Sequence, residues 1–106
     1  MKFIYLTCNI SKLEQLEDLI RKEKINSYQI VENANGCQPS GNPRMNNSVW
    51  PGHNSIVFIQ TDDKKTSLIF NMLKEMNKNI VNESERVLAA SWSCENYLYF
   101  DEGEQQ

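Results

Sequence analysis

The chain predicts an α+β fold, a four-stranded antiparallel sheet carrying two helices on one face. Three observations predict it. Short apolar runs with strand character alternate with two stretches of helical periodicity, in the order strand, helix, strand, strand, helix, strand. The 106 residues suit one domain with a modest core. All three prolines and three of the four glycines fall between Asn35 and His53, so the interruptions gather in one place.

Lys2 to Cys8 reads as the first strand, with Phe3 and Tyr5 on one face and Ile4, Leu6 and Cys8 on the other. Ser11-Lys12-Leu13-Glu14 has the form of a capping box. Leu13, Leu16, Leu19 and Ile20 then predict a helix over about Lys12 to Lys24. Its acidic residues precede its basic ones, the order a helix dipole favours. Asn26-Ser27 is a turn, Tyr28 to Glu32 a second strand, and Asn54 to Gln60 a third, with Ile56 and Phe58 opposed to Val57 and Ile59. Asp62 or Asp63 caps a second helix, whose stripe is Leu68, Ile69, Met72, Leu73 and Met76. The methionine pair reads as core filling rather than a soft-metal site. Asn77 to Asn82 is a polar exit, Arg86 to Trp92 the fourth strand, and Tyr97 to Phe100 a short extended piece.

This order is the ferredoxin-like βαββαβ sandwich. The expected domain spans 1–100, with a long loop over 35–53, and 101–106 is an acidic tail expected to be loose. Two helices cover one sheet face. Strands one, three and four are apolar on both, which predicts that further copies of the chain bury the second face.

The net charge of −3 excludes a nucleic-acid partner, which would call for clustered Lys and Arg. The one basic cluster, Arg21 to Lys24, is interrupted by Glu23 and reads as charge at a helix C-terminus. No apolar run approaches the roughly 20 residues of a membrane span, so membrane insertion is not expected. The N-terminus lacks a signal-peptide pattern, and a cytoplasmic location is expected. Cys8, Cys37 and Cys94 are then free thiols, and the Asn-x-Ser sequons carry no meaning.

A long unstructured connection inside a compact domain is usually functional or disordered, and function is sought in 35–53. No nucleophile elbow or paired acid–base motif exists, so the chain reads as a non-enzyme. Acylphosphatases share the order of elements but need an arginine in the loop after the first strand, and Thr7-Cys8-Asn9-Ile10-Ser11 has none. Cys37, Met45 and His53 are soft and borderline ligands that suit copper or zinc. The alternative is a free thiol, a surface methionine and a histidine hydrogen-bonded at a strand start. Trp50 would pack the loop base or form a pocket wall.

A ferredoxin-like domain of this length, with its long loop between strands two and three, resembles the P-II signalling superfamily, which includes nitrogen regulatory P-II proteins and CutA proteins. Asn35-Gly36-Cys37-Gln38 is similar to the Gly-x-Gln at the base of the P-II T-loop, whose glutamine helps hold 2-oxoglutarate and magnesium. The resemblance implies ligand-facing positions at Gly36, Cys37, Gln38, Trp50 and His53. Equally open is that Gly36 is a turn glycine and Gln38 a solvated side chain. The resemblance further implies a homotrimer that binds a small ligand at subunit clefts and acts through 35–53 on a partner protein, a transporter being one candidate. A CutA-like copper or zinc protein is the alternative, and a structural oligomerisation module a third. The chain departs from P-II in three places. Residues 77–85 contain no glycine to cradle phosphates. Glu95, Tyr97 and Tyr99 stand where P-II proteins place basic residues. No tyrosine lies within 35–53. ATP is therefore expected to bind weakly or not at all.

Overall fold

The computed structural model describes residues 1–39, 41–49 and 52–99. Its elements run β1 (Lys2–Asn9), a 3-10 turn (Ile10–Lys12), α1 (Leu13–Lys22), β2 (Tyr28–Ala34), β3 (Asn54–Thr61), α2 (Asp63–Lys78), a second 3-10 turn (Glu83–Glu85) and β4 (Leu88–Ser93). The strands form one antiparallel sheet in the order β2-β3-β1-β4. This is the ferredoxin-like α+β arrangement that the order of elements predicts. The acidic tail 101–106 lies outside the described residues.

Strand periodicity decides the core. Ile4, Leu6 and Cys8 from β1 and Val57 and Ile59 from β3 are fully buried against Leu16, Leu19, Ile20, Ile69 and Leu73 of the helices. The register pairs Phe3 with Trp92, Tyr5 with Phe58 and Ala90, and Val31 with Ile56, so these residues share the opposite face. There Phe3 stacks on Trp92 at 4.9 Å and on Phe58 at 5.8 Å. Tyr5 lies 5.8 Å from Phe58. These rings cover one another and little else does: Trp92 remains 50% exposed.

Local chemistry corrects several boundaries. The first helical turn is capped by Asn9, whose side chain accepts from the Ser11 amide. Ser11 therefore lies inside a 3-10 turn, and the capping box does not form. Lys24 adopts φ 55° and terminates that segment, and α1 itself stops at Lys22. Asp62 caps α2 by accepting from the Lys65 amide at 2.7 Å. The buried stripe of α2 is Thr66, Ile69 and Leu73, with Met72 and Met76 packed against the core. Leu68 is 40% exposed, because adjacent residues 68 and 69 cannot both face the sheet. β4 starts at Leu88 because the Asn77 side chain takes both backbone groups of Val87, at 2.8 and 3.0 Å. Tyr97 to Tyr99 form no strand, and Leu98 and Tyr99 are exposed.

The register of α2 is testable. Ile69→Ala is expected to cost about 3 kcal/mol in denaturant unfolding. Leu68→Ala is expected to stay within about 0.5 kcal/mol of the parent. Equal losses would mean that α2 is rotated from the orientation described.

Candidate functional site

The long loop is tied down at its base. Gly36 and Arg44 form an isolated antiparallel bridge, with Gly36 donating to the Arg44 carbonyl at 2.8 Å and Arg44 donating back at 2.6 Å. A Cβ at Gly36 would lie 3.3 Å from Nδ2 of Asn54, so glycine permits this close approach. The Arg44 Nε donates to Oδ1 of Asn54, the first residue of β3. Gly52 adopts φ 84°, a conformation that favours glycine, and its carbonyl accepts from the Asn46 amide at 2.8 Å. The His53 carbonyl accepts from Ile10 at 3.2 Å. Two small closures, 37–43 and 45–52, thus hang from one fixed arginine.

Gln38 is buried, and its amide nitrogen donates 3.1 Å to the carbonyl of Thr7, across the end of the sheet. The reading of Gln38 as a solvated side chain is overturned: a buried β1 carbonyl near the end of the β1–β4 pairing needs a donor, and Gln38 supplies it. Gly36 is not a positive-φ turn glycine either.

The other sequence-predicted residues are more open. Cys37 is exposed, and its thiol donates within its own turn to the carbonyls of Gln38 and Gly41 at 3.4 and 3.3 Å. Met45 is exposed and His53 half-buried. Trp50 lies outside the described residues. Among the described residues, no three His, Cys, Asp or Glu side chains gather as a metal site within one chain.

The functional candidate that sequence reasoning missed is Arg44. It is the only Arg, Lys, Asp or Glu between 35 and 53, which is the signal that could have found it. It is 7% exposed, and its Nη2 has no hydrogen-bond partner among the described residues. It lines an open cleft of about 460 Å³ between the loop and the turn after α2. Cys8 feels this guanidinium: burial pushes the Cys8 thiol up to about 11, and Arg44 partly opposes the rise.

Comparison with solved structures places this fold. A protein described as PII-like and signalling, from Thermus thermophilus, superposes with a TM-score of 0.59 at 14% identity, covering 86% of this chain and 83% of that one. CPII from Thiomonas intermedia, in a structure bound to ADP and bicarbonate, superposes with a TM-score of 0.65 at 13% identity, covering 86% and 84%. A second CPII structure, bound to ADP, AMP and bicarbonate, gives the same values. No protein-family model matches the chain, and no curated protein is significantly similar to it. The chain therefore has the fold of PII-like signalling proteins, at an identity too low to carry over residues.

The Cys8 environment makes a pH prediction. The unfolded thiol ionises near 9.0 and the folded thiol near 11, so the folded state holds the proton more tightly. This contribution is intact below the lower value and is lost as pH rises through the upper one. Denaturant unfolding between about pH 8 and about pH 11 is expected to show the parent losing roughly 2 kcal/mol more than Cys8→Ala. Parallel declines would remove the shift.

Proposed function

We propose that the chain is a PII-like regulatory protein. It assembles as a homotrimer, binds a small ligand at clefts between subunits, and acts through loop 35–53 on a partner protein, without catalysing a reaction. The observation that carries this reading is a long loop whose base is bonded into the sheet, through Gln38 and Thr7 and through Gly36 and Arg44, while its outer residues Met45 and Val49 are exposed. Such a loop can report on a site at its base. The aromatic face of Phe3, Tyr5, Phe58 and Trp92 supports assembly, since a monomer would leave these rings together against water. The fold likeness to proteins described as signalling, one of them bound to ADP and bicarbonate, points the same way.

A second reading, a CutA-like copper or zinc protein using Cys37, Met45 and His53, is favoured by the accessibility of all three side chains. Because no donor cluster forms among the described residues of one chain, this reading calls for several chains to share a metal. Cys37→Ser with His53→Gln is expected to leave folding intact, since neither side chain belongs to the core. Under the regulatory reading it also leaves bound copper or zinc per chain unchanged. Loss of metal uptake in the double variant would favour the second reading instead.

Light scattering behind a sizing column is expected to give three chain masses. One chain mass would sink the shared-cleft mechanism, and two would sink the trimer alone. Calorimetry with ATP or ADP is expected to show weak binding or none, because residues 77–85 offer no glycine cradle and Glu83 and Glu85 stand there. A dissociation constant tighter than about 10 μM would overturn that expectation.

A further inference from the structure

We propose that Arg44 anchors a binding site for a small, singly charged oxyanion, a carboxylate or bicarbonate, in the cleft between the loop and the turn after α2. The proposal rests on the ligand-sensing reading above and names the ligand's chemistry. The cleft is lined by Asn9, Arg44, Gly52, Asn82, Glu83 and Ser84 among others. Arg44 is more than nine-tenths buried, its Nε is committed to Asn54, and its Nη2 is shut from solvent with no partner among the described residues. A guanidinium taken out of water with a donor unused is strongly disfavoured, and proteins ordinarily match it with an anion.

No described carboxylate does so here. The neighbouring charges are already matched. Glu83 accepts two bonds from Arg86, at 2.6 and 2.9 Å, and Glu85 pairs with Lys12 at 3.8 Å. Cys8 does not supply the counter-charge either, since burial keeps it a neutral thiol at neutral pH. Among the described lining residues, Arg44 therefore stands as the uncompensated charge.

Shape and charge define the ligand. A planar guanidinium fork matches the paired oxygens of a carboxylate or bicarbonate. The Glu83 carboxylate on the wall disfavours a second negative charge, and residues 77–85 offer no glycine cradle for a polyphosphate. Asn82, whose Oδ1 caps the Ser84 amide at 2.9 Å, keeps its amide nitrogen as a further donor. Because Nη2 is closed off, the anion reaches it only as the loop and residues 82–84 separate, so occupancy is linked to loop position.

The test uses the full chain, labelled with nitrogen-15. It is titrated with sodium acetate, sodium bicarbonate or pyrophosphate against chloride at constant ionic strength. Saturable shifts are expected at the amides of Gly36, Gly52 and Ser84 with acetate, bicarbonate or both, and the arm that saturates identifies the source. Pyrophosphate is expected to bind more weakly. Arg44→Gln is expected to weaken binding by about tenfold or more, and Arg44→Lys, which keeps the charge but loses the fork, by a smaller factor. Lys64→Gln, on the surface of α2, is expected to change nothing. Three results overturn the proposal: no saturation by either singly charged anion, tighter binding of pyrophosphate, or unchanged affinity in Arg44→Gln. If Arg44→Gln does not fold, unchanged affinity in Arg44→Lys overturns it. A trimer that takes another ligand but no oxyanion removes this inference alone, whereas a monomer removes the regulatory reading.

Discussion

A four-stranded sheet has two faces, and this chain has helices for one. The rest of the molecule follows from how that shortage is met. β1 lies between β3 and β4, so every second β1 residue points at the helices and the others point away. The inward set, Ile4, Leu6 and Cys8, is buried completely. Antiparallel sheets commonly place polar residues on an uncovered face. Here the outward set begins with Phe3 and Tyr5, and the register puts Phe58 and Trp92 beside them. Mutual contact offsets part of the exposure, since tilted aromatic pairs are worth about 0.5–1.5 kcal/mol each beyond area burial. It leaves a ring edge at Trp92 half open.

The end of the sheet is handled differently from its middle. Thr7, Asn54 and Ser55 are buried and polar. Each is satisfied by chain from outside the local strand pair or from its margin. Gln38 donates to the Thr7 carbonyl, Arg44 to the Asn54 side chain, and Ser55 Oγ to the Glu32 carbonyl at 3.0 Å. Buried polar groups without partners would cost about 1–3 kcal/mol each. The loop base therefore belongs to the fold, because removing it would strand these groups. Ordering the loop costs conformational entropy, and these bonds offset that cost near its ends, at 36–38, 44 and 52–53.

What was legible in the sequence is what repeats. A period of two separates Ile4 from Phe3, and a helical period gathers Leu13, Leu16, Leu19 and Ile20, all buried as read. The errors come where one local bond competes with a pattern. Asn9 outcompetes Ser11 as a cap by beginning the turn earlier, and Asn77 occupies Val87 before the ladder can. Leu68 and Ile69 both fit an apolar stripe, and only the orientation of α2 chooses between them. Inside the loop no period exists. Cys37, Met45 and His53 could be picked out by chemical type but not placed. Gln38 and Arg44 are polar residues that the fold buries, and burial of a polar side chain follows from a partner distant in sequence, such as Thr7, which pattern alone does not reveal.

Arg44 then occupies an unusual mechanical position. Its backbone pairs with Gly36, its Nε with Asn54, and its aliphatic stem lies near Gly52, whose added Cβ would meet Arg44 Cδ at 3.7 Å. Residues 37–43 and 45–52 can each rearrange without breaking the Gly36 pairing, but neither can carry Arg44 away without losing the Asn54 bond as well. The loop is thus better described as two small loops on a shared pivot than as one long arm. A ligand shifts such an equilibrium only through different affinities for its states. Contacts made far out on either small loop would bias that loop alone. A contact made at the pivot biases both together, and the pivot is where the unused donor lies.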